Sequence, residues 1–124
     1  MKANTNIVIS SKQIIVIFNI LRYIGLNTSH RGTKYINKAV QLLIVADNDI
    51  VKIKDIYISI SNYYNNVTPK QVKNDISYAL KSRTEKKAEK NFEKVFGFEY
   101  DQYYFTNKTI IEEVARVIKG KFIN

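Results

Sequence analysis

Apolar residues recur along this chain at steps of three and four, the spacing of helices with one buried face. Ile14, Phe18, Leu21 and Ile24 form one stripe, widened by Ile17 and Ile20. So broad a face predicts a helix packed deeply among others, capped by Ser10 or Ser11 and stopped at Gly25. Asn27 to Gly32 reads as a polar loop. A second helix is predicted from about Thr33 to Ala46, burying Ile36, Ala39, Val40 and Leu43, with Lys34, Lys38 and Gln41 outward. Asp47-Asn48-Asp49 is a turn and cap cluster. The next stretch is ambiguous, because Ile56-Tyr57-Ile58-Ser59-Ile60 is β-branched enough for a strand. Yet Ile50, Ile53, Tyr57, Ile60 and Tyr64 keep the helical step, which favours a helix from about Asp55 to Tyr64.

Asn65-Asn66-Val67 then turns the chain into its most informative segment, Thr68 to Lys81. Thr68 is a good N-cap, and Pro69 sits at the first helical position, where its missing N–H costs nothing. Val72, Ile76, Ala79 and Leu80 fall on one face; Lys70, Lys73, Asn74, Ser77, Tyr78 and Lys81 fall roughly opposite. That outward face holds cations and hydrogen-bonding groups and no carboxylate, as a groove-reading helix requires. The same pattern also suits a merely solvated amphipathic helix. The helix is predicted to continue to about Arg83. A short helix from Glu85 to Phe96 follows, bearing Ala88, Phe92, Val95 and Phe96 and stopped by Gly97. Phe98 to Phe105 reads as an aromatic, partly extended connector. Asn107 or Thr109 caps a last helix, where Thr109 to Glu112 matches a capping box; Ile110, Val114, Val117 and Ile118 are its stripe and Gly120 its end. The expectation is a single all-α domain over 1–124, about six helices around a helix-turn-helix, with 1–10 a flexible N-terminal segment.

Charge sharpens this picture. The 124 residues carry 20 Lys+Arg against 11 Asp+Glu, a formal net charge of +9. Residues 1–46 hold six basic side chains and no acid, and residues 68–94 hold eight basic and four acidic. The positive field therefore arises from two helical regions rather than from a tail, and it points to nucleic acid or another anionic partner. There is no cysteine, hence no disulfide or thiolate chemistry. No signal peptide is visible, and the apolar run Ile14 to Phe18 is too short to span a membrane, so a cytoplasmic protein is expected.

Catalytic chemistry is not legible. The lone histidine, His30, reads as an ordinary loop residue or at most a phosphate contact. Glu112 and Glu113 are adjacent and point apart on a helix, a poor acid–base pair. No glycine spacing matches a nucleotide cradle. Neither an enzyme, a metal nor a cofactor is expected.

Four strings carry a resemblance. They are Ile24-Gly25-Leu26 through Arg31-Gly32; Lys38-Ala39-Val40; Thr68 through Leu80 with Val72, Ile76 and Ala79 in phase; and Val95-Phe96-Gly97 followed by Thr106-Asn107, Ile111, Val114 and Ala115. In this order and spacing, over roughly residues 14–119, the chain resembles the C-terminal DNA-binding effector domain of the stage-zero sporulation master response regulator of spore-forming Firmicutes. The resemblance implies about six helices with the helix-turn-helix in the middle and sequence-specific major-groove binding. It also implies transcriptional control, tandem protomers or a homodimer on DNA, and contact with the housekeeping sigma factor. Departures are equally informative. Lys73, Asn74 and Ser77 stand where the family has Glu, Arg and Arg, so its target sequence does not carry over. A family histidine falls on Ser29, and Arg31 replaces a lysine. The turn before Thr68 is one residue longer. The family's receiver domain is missing, so control by its phosphorylation in cis is not expected.

Two functional classes follow. In the first, the protein binds double-stranded DNA as a transcription regulator or mobile-element accessory factor. Lys70, Lys73, Asn74, Ser77 and Tyr78 read bases, while Arg31, Lys34, Gln71, Lys81, Arg83, Lys86 and Lys87 hold phosphates. In the second, the fold is a protein-interaction module that binds RNA polymerase sigma or a related regulator without reading DNA. The acid-free N-terminal third favours the first.

Overall fold

The computed structural model describes residues 10–46 and 51–122. The Asp47-Asn48-Asp49 cluster, Ile50 and all but Ser10 of the expected flexible segment lie outside them. Among the described residues six α-helices form, all-α as expected: α1 (Ser11–Tyr23), α2 (Arg31–Ala46), α3 (Ile53–Tyr64), α4 (Pro69–Lys81), α5 (Glu85–Phe96) and α6 (Asn107–Phe122). The ambiguous third segment is helical, so the stripe outweighs its β-branched composition.

Local chemistry sets most boundaries. Ser10 Oγ accepts from the Gln13 N–H while Gln13 Oε1 accepts from the Ser10 N–H, a capping box that starts α1. Gly25 (φ +100°) ends it, and the Asn91 amide donates to the Tyr23 carbonyl. α2 begins two residues earlier than the periodicity suggests. The His30 carbonyl accepts from the Thr33 and Lys34 N–H groups, and the Thr33 hydroxyl donates to the Asn27 carbonyl at 2.7 Å. α3 also starts two residues early. α4 stops at Lys81 rather than Arg83. Thr106, not Asn107 or Thr109, caps α6: its carbonyl accepts from the Ile110 N–H and its hydroxyl from the Thr109 N–H. The Thr109–Glu112 box does not form the start, and α6 runs through Gly120 to Phe122.

The core lies where α2 crosses α4 and α6. Ile36, Ala39, Val40 and Ile44 of α2 meet Val72, Ile76 and Leu80 of α4 and Ile110, Ile111, Val114 and Ile118 of α6. Leu43, expected inside, is half-buried, and Ile44 takes its place. The aromatic connector is not extended throughout. Gln102–Tyr104 forms a 3-10 turn that wraps the connector around Phe92. The rings of Phe96, Phe98, Tyr100, Tyr104 and Phe105 stand 4.8–6.0 Å from that of Phe92. Arg116 closes this end, donating to the Phe96 carbonyl at 3.0 Å and pairing with Glu113 at 2.8 Å.

Candidate nucleic-acid interface

The turn between α3 and α4 is built for a sharp, rigid reversal. Asn65 adopts φ 66° with its N–H donating to the Ser61 carbonyl. The Ser61 hydroxyl donates to the Val67 carbonyl, tying the exit of the turn to α3. Thr68 and Gln71 then form a capping box that the sequence pattern T-P-K-Q already contains. Gln71, assigned above to phosphates alone, thus holds its carbonyl oxygen on the Thr68 N–H, while its amide nitrogen is still available as a donor.

α4 is clamped on three sides. Its apolar face is fully buried at Val72, Ile76 and Ala79. One flank meets the N-terminus of α2, where Gly32 passes so close that a Cβ there would lie 1.9 Å from the Asp75 carbonyl oxygen. The other flank meets the N-terminus of α6. There the Asn107 amide donates to the Lys73 carbonyl at 3.1 Å and to the Tyr57 hydroxyl at 3.0 Å, and its oxygen accepts from the Ser77 hydroxyl at 3.1 Å. What stays exposed is a ridge of Lys70, Lys73, Asn74 and Lys81, with Tyr78 leaning on the His30 ring at 5.5 Å and still 62% exposed.

Arg31 and Lys34 are exposed on the first turn of α2, beside this ridge. Arg31 Nε lies 4.0 Å from Asp75 Oδ2, a loose pair. Lys86 and Lys87 are exposed on the first turn of α5, which is held to the loop after α1 by the Thr84 N–H donating to the Gly25 carbonyl.

Two of the sequence-assigned residues are engaged inside the fold. Ser77 is half-buried on Asn107. Arg83 donates to the Leu80 carbonyl and the Tyr100 hydroxyl, with its guanidinium carbon 4.0 Å above the Phe105 ring. Its task is to lock the end of α4 to the aromatic connector, and neither residue is carried into the interface below. Three residues that sequence reasoning did not assign line the same side. Lys108 borders the cleft between α4 and α6, and Tyr35 and Tyr64 border the one between α2, α3 and α4. Burial raises the Tyr35 hydroxyl above its usual pKa, with Asp75 adding to the rise and Arg31 opposing it. Tyr64 is raised by burial, then by Tyr63 and Tyr35. Both are therefore neutral hydrogen-bond donors at physiological pH. The spacing of Tyr35 beside Ile36 and Ala39 signals only core, so nothing local marks its hydroxyl.

Against this geometry, a family model described as the sporulation initiation factor Spo0A C terminal matches residues 17–118, from within α1 to within α6. The chain belongs to this family. Spo0A C-terminal domains are DNA-binding effector domains, so the basic, acid-free ridge of α4 sits in a fold whose class of ligand is DNA. No curated protein and no solved structure matches the chain significantly. Among the described residues no helix is long and apolar enough to cross a membrane.

Proposed function

We propose that α3, the turn and α4 form a helix-turn-helix that reads double-stranded DNA in the major groove, and that the protein regulates transcription or serves a mobile element as an accessory factor. The observation that carries this reading is the α4 ridge. Its exposed cations and amide project from a helix fixed by a capping box, by α2 and by α6, so base contact does not require ordering a flexible element. Lys70, Lys73, Asn74 and Tyr78 are the base readers. Arg31, Lys34, Lys81, Lys86 and Lys87 hold phosphates, with the Gln71 amide nitrogen as a neutral donor. The reading also includes tandem protomers or a homodimer on DNA and contact with a polymerase sigma subunit, as the resemblance implies.

Asn74 gives the reading its test. Arginine pairs with guanine, whereas asparagine pairs with adenine N6 and N7, so a site richer in A·T at that position is expected. Selection from a random duplex pool supplies the preferred site. Asn74→Ala should then cost about 1–3 kcal/mol on that site and much less on random DNA, while Lys86→Ala weakens both alike. Equal loss on both duplexes for Asn74→Ala would remove it from the bases and α4 from the groove.

The phosphate set predicts salt dependence. If all five cations contact phosphates, log affinity against log salt should slope about −4 to −5, at about −0.9 per neutralised phosphate. A slope near zero, with tight binding to a protein partner, would favour the interaction module instead.

A further inference from the structure

The first turn of α2, the end of α3 and the start of α4 enclose an open pocket of about 400 Å³ beside the ridge. Arg31, Lys34, Tyr35, Tyr64, Gln71 and Asp75 line it. Tyr35 is only 6% exposed as a whole residue, but its hydroxyl opens to the pocket and makes no hydrogen bond among the described residues. Open to the pocket and unengaged within the fold, that hydroxyl is available as a donor to a bound group. The ring of Tyr64 lies 5.3 Å from that of Tyr35, and its hydroxyl is likewise unpartnered among the described residues. Gln71 has its carbonyl oxygen fixed on the Thr68 N–H, which leaves the amide nitrogen as its donor to the pocket. The walls thus offer mainly donors.

We propose that this pocket seats one backbone phosphodiester of the DNA, with the Tyr35 and Tyr64 hydroxyls donating to its oxygens beside Arg31 and Lys34. The proposal rests on the DNA-reading assignment above and adds a specific seat to it. Two cations and one carboxylate leave the lining at a net +1, which matches a singly charged diester better than a dianionic phosphate. Asp75 accounts for that discrimination. It holds Arg31 at 4.0 Å in the free protein and repels a second negative charge. Phosphate contacts of this kind carry no sequence information but set register. Because Gln71 and Asp75 flank Asn74 on α4, a diester held here fixes where Asn74 and Lys70 fall along the bases.

The test uses Tyr35→Phe and Tyr64→Phe, which keep the rings and remove only the hydroxyls. Each should melt like the parent, since no hydrogen bond within the described residues is lost. Each should also weaken binding about tenfold on preferred and random duplexes alike, the size expected for a hydrogen bond to a charged group. A duplex scanned with single methylphosphonates should reveal one position that weakens the parent about tenfold and hardly affects Tyr35→Phe. That coupling identifies the seated diester even if a variant also loses stability. Unchanged affinity in Tyr35→Phe, with Asn74→Ala still losing the preferred site, overturns the seat and leaves the DNA reading standing. Failure of the parent to bind any duplex removes the reading and the seat together. If inorganic phosphate shifts the Tyr35 ring resonances and no methylphosphonate position couples, the pocket holds a free anion and the diester assignment is wrong.

Discussion

Gly32→Ala should destabilise the protein by at least about 3 kcal/mol, the upper range for forcing atoms into a packed contact. In an exposed helix the same change would stabilise by about 0.5–1 kcal/mol, because glycine loses more backbone freedom on folding. Gly32 lies in the first turn of α2, and no unusual φ requires glycine there. The requirement is space. A Cβ at this position would stand 1.9 Å from the Asp75 carbonyl oxygen, 2.5 Å from its carbon and 2.9 Å from the Ala79 Cβ. Two of these are backbone atoms of α4, so no side chain can swing aside. Relief requires the two helices to part, which opens the contact holding Ile36 and Val40 against Ile76 and moves Arg31 away from Asp75. Thermal melting should fall by about 10–15 °C for a chain of this size. DNA binding should weaken on every sequence, because the α2 cations and the α4 ridge no longer share one frame. A variant that melts at or above the parent would mean that α2 and α4 do not approach this closely.

Ile76→Asp should cost about 3–5 kcal/mol, because it places an unpaired carboxylate at the centre of the core. Ile76 is wholly buried on the inner face of α4, among residues of α2 and α6. No cation is buried among the described residues to receive the charge, so the carboxyl protonates or the helix detaches. Either outcome removes a large part of the stability of an ordinary domain. Circular dichroism through a thermal ramp would show it directly. A native-like transition would mean that the apolar and polar faces of α4 are reversed, and Lys70, Lys73 and Asn74 would then be the packed residues.

The two variants probe different sources of information. Ile76 was legible as core because it shares a stripe with Val72 and Ala79 at helical spacing, a property of one segment. Gly32 was legible only as part of a loop, since the atom that demands it, the Asp75 carbonyl oxygen, is more than forty residues along the chain. The same division holds at the interface. The acid-free outer face of α4 can be read from Lys70, Lys73 and Asn74 alone. That Ser77 turns away from it cannot, because the Asn107 that accepts its hydroxyl proton belongs to α6. Arg83 looked like one more free cation, and the aromatic connector that captures it gave no sign of where its rings would lie.

By itself, then, the sequence determined the helices, the N-caps near Ser10 and at Thr68, the all-α class and the family pattern. These depend on backbone hydrogen bonds and side-chain periodicity within four or five residues. Tertiary structure alone decided which polar residues stay available to DNA, where the Tyr35 and Tyr64 hydroxyls open into a pocket, and why the first turn of α2 needs a glycine against α4. Those outcomes depend on packing between segments distant in the chain, where a side chain's partner is set by how helices cross and not by its neighbours in sequence.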